Sequence, residues 1–221
     1  MKFSTKKTLV AAVALTAVAG SFAASSAFAD DDAPSPWLVR VRMLDVQTQQ
    51  GNDAGTVHVP GAVPIGADSI KMANRSQPEI DVSYFFTHNI SAELVASYPL
   101  SHQVQLNGNY IGGLQELPPI LNLQYHFDGM GNFVPYVGAG MMYMRTMNVS
   151  LLGGALGAQQ NNWGEDVQLG ADYMLDKHWL LNADIKKTWV SVGLNSAATG
   201  GTILQLHPDP YIMGVGVGYR F

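Results

Sequence analysis

Charged side chains are few in this sequence, and several stand at alternate positions of short apolar segments. Only 13% of the 221 residues are charged, against about 25% in typical soluble domains. Arg40 and Arg42 lie two apart in "WLVRVRML", as do Asp184 and Lys186 in "WLLNADIKKTW". Residues two apart in an extended strand point to the same face, so such groups can meet opposite charges from other strands. The pattern predicts buried ion pairs, because an unpaired charge away from water is costly.

Serine and histidine side chains raise a second possibility, acyl-transfer chemistry. Such an enzyme needs a hydroxyl nucleophile with a histidine base within hydrogen-bonding distance. His58, His102 and His207 lie in long connecting stretches that also contain serines, but no local motif joins them. No spacing of His, Asp and Glu suggests a metal site. We therefore expect no enzymatic activity, no metal and no cofactor.

The N-terminus has the three parts of a secretory signal peptide. A basic start at Lys2, Lys6 and Lys7 precedes an apolar stretch and the A-x-A sequence 27–29. We expect residues 1–29 to be removed and residues 30–221 to form a single domain. The mature chain then has nine basic and 17 acidic residues, a formal charge of −8. This balance argues against a nucleic-acid partner, and the absence of cysteine means that no disulfide stabilises the exported chain.

Hydrophobic residues alternate with small or polar ones throughout the mature chain. The last segment, "YIMGVGVGYRF", places aromatic and aliphatic residues on one face and mainly glycine on the other. Segments of this kind cover residues 37–44, 78–86, 90–98, 120–127, 133–144, 163–175, 179–189 and 211–221. Each is about as long as a tilted strand that crosses a bilayer, which takes about ten residues.

The connections between these segments differ in length in a regular way. The short connections are 87–89, 128–132 and 176–178, and the long ones are about 46–77, 99–119, 145–162 and 190–208. Short turns at one end and long loops at the other are typical of outer-membrane barrels. The sequence therefore predicts an all-β fold, an eight-stranded antiparallel transmembrane β-barrel with short periplasmic turns and long extracellular loops.

A soluble β-sandwich is the alternative fold, since its strands also alternate. Its polar faces would be the exterior and would carry more charge than this chain has. Aromatic residues also cluster at the ends of the apolar faces, as they do where barrels meet the membrane interfaces. These residues are Trp37, Tyr98, Phe127, Tyr143, Trp179, Tyr219 and Phe221.

The inward positions divide into a charged level and an apolar level. The charged level is predicted to form a plug of ion pairs from Arg40, Arg42, Asp81, Glu93, Asp184 and Lys186, with Asp172 as a further candidate. Nearer the extracellular rim the inward residues are apolar, and Leu44, Ile120, Met142 and Met144 are candidates to line a hydrophobic channel. The alternative is that these four side chains only pack the loops onto the barrel mouth.

Two further features concern the wall of the barrel. Pro118 and Pro119 begin a predicted strand and remove two backbone donors, so a lateral opening is expected there, although a simple strand start is the alternative. Tyr219 and Phe221 end the chain and look like the signal read by the outer-membrane barrel-insertion machinery. They also suit an ordinary strand that closes the barrel.

Several stretches together resemble the OmpW family of small outer-membrane proteins, which includes the AlkL-type alkane importers. The matching stretches are "WLVRVRMLDV", "THNISAELVASYPLSHQV", "LPPILNLQYHF", "FVPYVGAG", "NNWGEDVQLGADYMLDKHWLLNADI" and "DPYIMGVGVGYRF". Two departures stand out. The family's usual D-P-W is D-P-Y at residues 209–211, and the loop 147–160 is unusually apolar and free of charge.

The resemblance implies a hydrophobic channel that opens sideways into the membrane. It implies uptake of small hydrophobic molecules and residence in the outer membrane of a Gram-negative bacterium, among lipid and lipopolysaccharide. We expect a monomer. The alternative function is a non-transporting surface or structural barrel, of the adhesin or receptor type.

Overall fold

The computed structural model describes residues 35–49, 51–59 and 61–221, and the predicted signal peptide lies outside them. Regular structure in the described part is β-strand, apart from one 3-10 turn at Leu152–Gly154. None of the helical structure in these residues is long and apolar enough to cross a membrane.

Eight strands form a closed antiparallel barrel. They are β1 (Trp37–Gln47), β5 (Arg75–Phe85), β6 (Ile90–Ser97), β9 (Ile120–His126), β10 (Phe133–Leu151), β12 (Asn161–Met174), β13 (Trp179–Val190) and β16 (Tyr211–Arg220). Each strand pairs with the next one in this order. Strand β16 returns to β1, with the register running from Leu38 opposite Arg220 to Gln47 opposite Tyr211. The predicted fold and all eight predicted strands are confirmed.

The long connections carry further strands. These are β2 (Gly55–Val59), β3 (Gly61–Ile65), β4 (Ile70–Met72), β7 (Leu100–Leu106), β8 (Asn109–Leu117), β11 (Leu156–Ala158), β14 (Val192–Ser196) and β15 (Thr202–Leu206). The hairpin β7–β8 pairs with β4 and with the far end of β10, and the hairpin β14–β15 pairs with β11. The barrel wall therefore continues beyond the predicted rim, where the sequence pattern shows only long connections.

Alternation divides each barrel strand into an inward and an outward face. Val41 and Leu123 are outward, with 52% and 61% of their surface exposed, whereas Arg40 and Tyr136 are inward and fully buried. In a closed barrel the strands of the wall pair their backbone groups with one another, so an apolar outer face is suited to lipid. Polar residues form much of the buried interior.

Glycines on the inner face of β16 make room for long side chains from β1. A Cβ atom at Gly216 would lie 2.7 Å from the Cα atom of Arg42, and one at Gly218 would lie 3.0 Å from the Cγ atom of Arg40. Only a residue without a side chain avoids these contacts. The alternate glycines of the last segment therefore let two arginines fill the lumen.

Aromatic rings mark both ends of the lipid-facing surface. At the end with the short turns, the Tyr219 ring lies 5.0 Å from that of Trp179 and 5.1 Å from that of Phe221. At the other end, the rings of Tyr143 and Trp163 lie 5.0 Å apart. Such pairs occupy the membrane interfaces of barrels. Strands β7 and β8 lie on the extracellular side of the outer pair, because Leu117 at the end of β8 is opposite Arg145, two residues past Tyr143 on β10. They therefore extend the wall outside the membrane-spanning part.

Candidate functional site

The four residues predicted to line a hydrophobic channel come together in the outer half of the lumen. Leu44 on β1, Ile120 at the start of β9, and Met142 and Met144 on β10 are all buried and line one cavity. Ile120 and Met142 are directly opposite in the β9–β10 register. Further lining residues come from the strands on either side, among them Val95, Ser97, Leu100, His102, Glu116 and Pro118.

The cavity is narrow. Its volume is about 30 Å³, whereas pockets for small organic ligands measure about 300 Å³ or more. An apolar molecule can enter only if lining side chains change rotamer. Met142 and Met144 suit this movement, since methionine has three rotatable bonds and adapts to different shapes.

A network of charged side chains closes the floor of the cavity. All six predicted plug residues belong to it, and each is buried. The Arg40 guanidinium lies 2.6 Å from Asp172 and 3.2 Å from Asp81. The Arg42 guanidinium lies 3.0 Å from Asp81 and 2.5 Å from Asp184, and Lys186 Nζ also lies 2.5 Å from Asp184.

Sequence reasoning missed several members of this network. Glu79 lies 2.5 Å from the Arg42 guanidinium, and Gln168 Nε2 donates to Asp184 at 2.7 Å. Asn182 Nδ2 donates to Asp172 at 2.7 Å and to the Tyr136 hydroxyl at 3.0 Å. All of them share the inward face with a predicted plug residue, so alternation alone was sufficient to find them. The amides of Gln168 and Asn182 donate to carboxylate oxygens that also accept from the cations, so they add to the same network.

A smaller apolar cluster lies on the periplasmic side of the network. Leu38, Phe85 and Leu180 form it, and the Arg220 guanidinium carbon lies 4.2 Å from the centre of the Phe85 ring. The lumen therefore has an apolar outer level, a charged middle and an apolar base. This arrangement blocks a continuous water-filled path, as expected for a barrel of eight strands.

The wall beside the cavity has a break in its hydrogen-bonded ladder. The β6–β9 pairing stops at Val95 opposite Ile120, and the β7–β8 pairing starts at Leu100 opposite Glu116. In the described structure no ladder pair joins residues 96–99 to residues 117–119. Pro118 and Pro119 lie in this break and have no N–H to donate. On the side that faces β10, the Pro119 carbonyl accepts a hydrogen bond from the Tyr143 amide at 3.0 Å.

His102 and Glu116 form a buried pair in the cavity wall, on the extracellular side of the outer aromatic pair. Their side chains approach to 3.5 Å between Nε2 and Oε2, and His102 Nδ1 lies 3.0 Å from the Ala73 carbonyl. Burial raises the pKa of Glu116 to about 7. Burial also lowers the pKa of His102 from its ordinary value, and Arg75 lowers it further. Both side chains are therefore shifted toward their neutral forms.

His207 lies in a more exposed cluster at the extracellular rim. Its Nδ1 lies 3.0 Å from Ser191 Oγ, and its Nε2 lies 3.6 Å from Asp53 Oδ1. A catalytic triad needs a buried carboxylate hydrogen-bonded to the histidine. Here the Asp53 side chain is 62% exposed and its distance exceeds a hydrogen bond. Within the described residues, no group of three or more His, Asp or Glu side chains has the arrangement of a metal site.

Comparison with known proteins gives a consistent result. The sequence profile of the OmpW family matches residues 36–221. The uncharacterized outer-membrane protein y4mB of Sinorhizobium fredii is 39% identical over 193 residues, which cover 85% of this chain and 80% of that protein. Outer membrane protein AlkL of Ectopseudomonas oleovorans is 28% identical over 181 residues, covering 77% of this chain and 76% of that one.

A solved structure agrees with these sequence relatives. The crystal structure of the outer membrane protein OprG from Pseudomonas aeruginosa superposes with a TM-score of 0.70 at 25% identity, over 85% of this chain and 97% of that one. The barrel and its named relatives place the protein in the outer membrane of a Gram-negative bacterium. The chain belongs to the OmpW family of outer-membrane β-barrels.

Proposed function

We propose that this barrel takes up small hydrophobic molecules from outside the cell and releases them sideways into the outer membrane. The observation that carries the proposal is the apolar cavity, which has a charged floor below it and a break in the barrel wall beside it. Membership of a family that includes AlkL-type importers is in keeping with this function.

The charged floor sets the direction of release. An apolar molecule that reached Arg42 and Asp184 would have to separate buried ion pairs to continue toward the periplasm. Among the described residues, no buried Arg or Lys ion pair lies between the cavity and the break at residues 96–99 and 117–119. Ile120 and Pro118 line the cavity and also border that break. Lateral exit is therefore the route with the smaller electrostatic penalty.

Uptake of a radiolabelled medium-chain alkane tests the proposal. Three kinds of cell are compared: cells that make the intact protein, cells that lack it, and cells that make Ile120→Asn or Met142→Gln. An unpartnered amide in an apolar site costs about 1–3 kcal/mol, so each polar variant should slow the protein-dependent uptake about tenfold. Ile120→Leu and Met142→Leu are the matched controls, because they change shape without adding polarity, and they should keep most of the uptake.

Heat-modifiable migration on a gel shows that each variant has folded. Equal uptake in all the cells would overturn the transport of this class of molecule, and a surface-interaction role would then be the better explanation. A second comparison addresses the exit. Pro118→Ala together with Pro119→Ala restores two backbone donors beside the break, and slower uptake by that variant is expected if release is lateral.

Four smaller proposals accompany this one. The chain works as a monomer, because its barrel closes on itself through β1 and β16. The insertion machinery reads the terminal aromatic residues Tyr219 and Phe221, which lie at the periplasmic end of β16. Lipopolysaccharide surrounds the outer half of the wall. The protein catalyses no reaction.

A further inference from the structure

Two polar atoms in the wall of the apolar cavity have no hydrogen-bond partner among the described residues. They are Oε1 of Glu116 and Oγ of Ser97, and both atoms are shielded from solvent. Glu116 as a whole is only 4% exposed. A buried polar atom without a partner destabilises the fold by about 1–3 kcal/mol, so each such atom needs an explanation.

The two residues stand on opposite sides of the break in the wall. Ser97 is the last residue of β6, and Glu116 is the last but one of β8. Both residues line the cavity. A molecule that moved from the cavity into the break would therefore pass between them.

His102 determines which carboxylate oxygen of Glu116 is available to a ligand. The Ala73 carbonyl can only accept, so the bond at 3.0 Å requires a proton on His102 Nδ1. The neutral ring then has an acceptor at Nε2, which faces Glu116 Oε2 at 3.5 Å. The contact is attractive whether the proton between these two atoms is bound to His102 Nε2 or to Glu116 Oε2. Oε1 is left as a hydrogen-bond acceptor without a partner in the described structure, on a residue that lines the cavity.

Two other polar side chains of the cavity are engaged elsewhere, and a third, Gln77, is only half-buried. Thr48 Oγ1 donates to the Met72 carbonyl at 2.9 Å. Glu79 accepts from Arg42 Nε at 2.9 Å as part of the floor. Ser97 Oγ and Glu116 Oε1 therefore remain as one hydroxyl and one acceptor of the lining that are buried and have no partner within the described part of the chain.

We propose that the cavity selects apolar molecules that carry one hydroxyl group. The ligand hydroxyl donates to Glu116 Oε1 and accepts from the Ser97 hydroxyl, while its hydrocarbon part contacts Ile120, Met142 and Met144. This inference rests on the proposed uptake of hydrophobic molecules and names the substrate class. A plain hydrocarbon leaves both polar atoms without partners, so it binds more weakly than the corresponding alcohol.

Equilibrium dialysis of the purified protein in phospholipid nanodiscs tests this selection. The probes are radiolabelled 1-octanol, octane and heptyl methyl ether, which has an acceptor but no donor. Binding is counted above that of protein-free nanodiscs, which removes simple partition into lipid. The intact protein should bind 1-octanol about tenfold more tightly than octane, the effect of one or two buried hydrogen bonds.

Two variants test whether Glu116 Oε1 and Ser97 Oγ produce the preference for 1-octanol. Glu116→Met keeps the size of the side chain and removes the acceptor, so it should abolish the preference for 1-octanol over the ether and leave octane binding unchanged or stronger. Ser97→Ala should weaken 1-octanol and the ether alike. Ser101→Ala, an exposed change on the same hairpin, is the matched control and should change nothing. Should Glu116→Met fail to show heat-modifiable migration, Ser97→Ala and the three probes still decide the question.

The outcomes separate the two proposals. If octane and 1-octanol bind equally to the intact protein, or if Glu116→Met and Ser97→Ala leave the preference in place, the hydroxyl selection is wrong while hydrophobic binding stands. If no probe binds above protein-free nanodiscs, both proposals are overturned.

Discussion

Replacing Arg42 by methionine should strongly destabilise the barrel, because Arg42 joins more carboxylates than any other cation of the network. The side chain is fully buried, and its guanidinium lies between 2.5 and 3.7 Å from four carboxylates: Glu79, Asp81, Glu93 and Asp184. The described network has three cations, Arg40, Arg42 and Lys186, and five carboxylates, the previous four and Asp172. Its formal charge therefore changes from −2 to −3 when Arg42 is removed.

The magnitude follows from the uncompensated charge. Removal of one partner from a buried ion pair costs about 3–5 kcal/mol. With a urea dependence of about 2 kcal/mol per molar, the unfolding midpoint should fall by about 2 M. The assay is urea unfolding of the protein in phospholipid vesicles, followed by tryptophan fluorescence and by gel migration.

A matched control and a double variant make the test specific. Arg145→Met removes the same charge at an exposed position and should change the free energy of unfolding by at most about 0.5 kcal/mol. Asp184→Asn combined with Arg42→Met should cost at least about 1 kcal/mol less than the sum of the two single changes, since the pair is in contact. A loss below about 1 kcal/mol for Arg42→Met, with simple additivity, would refute the idea that this network holds the lumen together.

Three further outcomes are expected. Gly216→Ala should prevent folding or lower the urea midpoint strongly, because the added methyl would lie 2.7 Å from the Arg42 Cα atom, while Gly66→Ala, with nothing within 4 Å, should fold normally. Glu116 has a pKa raised from 4.5 to about 7, so its contribution to stability is complete below pH 4.5 and is lost as the pH rises to 7. The loss is about 3 kcal/mol, and Glu116→Gln should abolish this part of the pH dependence in urea titrations at pH 4.5 and 7. Ser191→Ala should leave the lipid composition of cells unchanged, as judged by mass spectrometry, and any difference from the intact protein would argue for acyl chemistry at His207.

The barrel and its charged interior could be predicted from the sequence because alternation is a local signal. Arg40 and Arg42 are inward for the same reason that Val41 is outward, and closure of the sheet then makes every inward charge part of one lumen. The missed residue Glu79 lies two positions before Asp81 and obeys the same rule.

The pairing of Glu116 with His102 and the position of Ser97 could not be predicted in this way. They lie where two strands break, and their neighbours are set by the register between β7 and β8 and by the ladder from β4. The β7–β8 register is set locally by the two-residue Asn107–Gly108 turn, whereas the placement of this hairpin beside β4 and Ser97 is a long-range property that alternation does not encode. The cluster of Asp53, Ser191 and His207 has the same origin, since its members come from separate extracellular segments.

The pairing of β1 with β16 closes the barrel, and this closure affects how the chain folds. Arg40 and Arg42 enter on β1, whereas their partners Asp172 and Asp184 arrive on β12 and β13, which reach β1 only through β16. Until the C-terminal strand docks, these charges remain in contact with water and the nascent sheet has two unpaired edges. Complete pairing of these charges therefore requires the event that closes the wall. A chain truncated before Tyr211 lacks that event, and is expected to remain a substrate for periplasmic proteases.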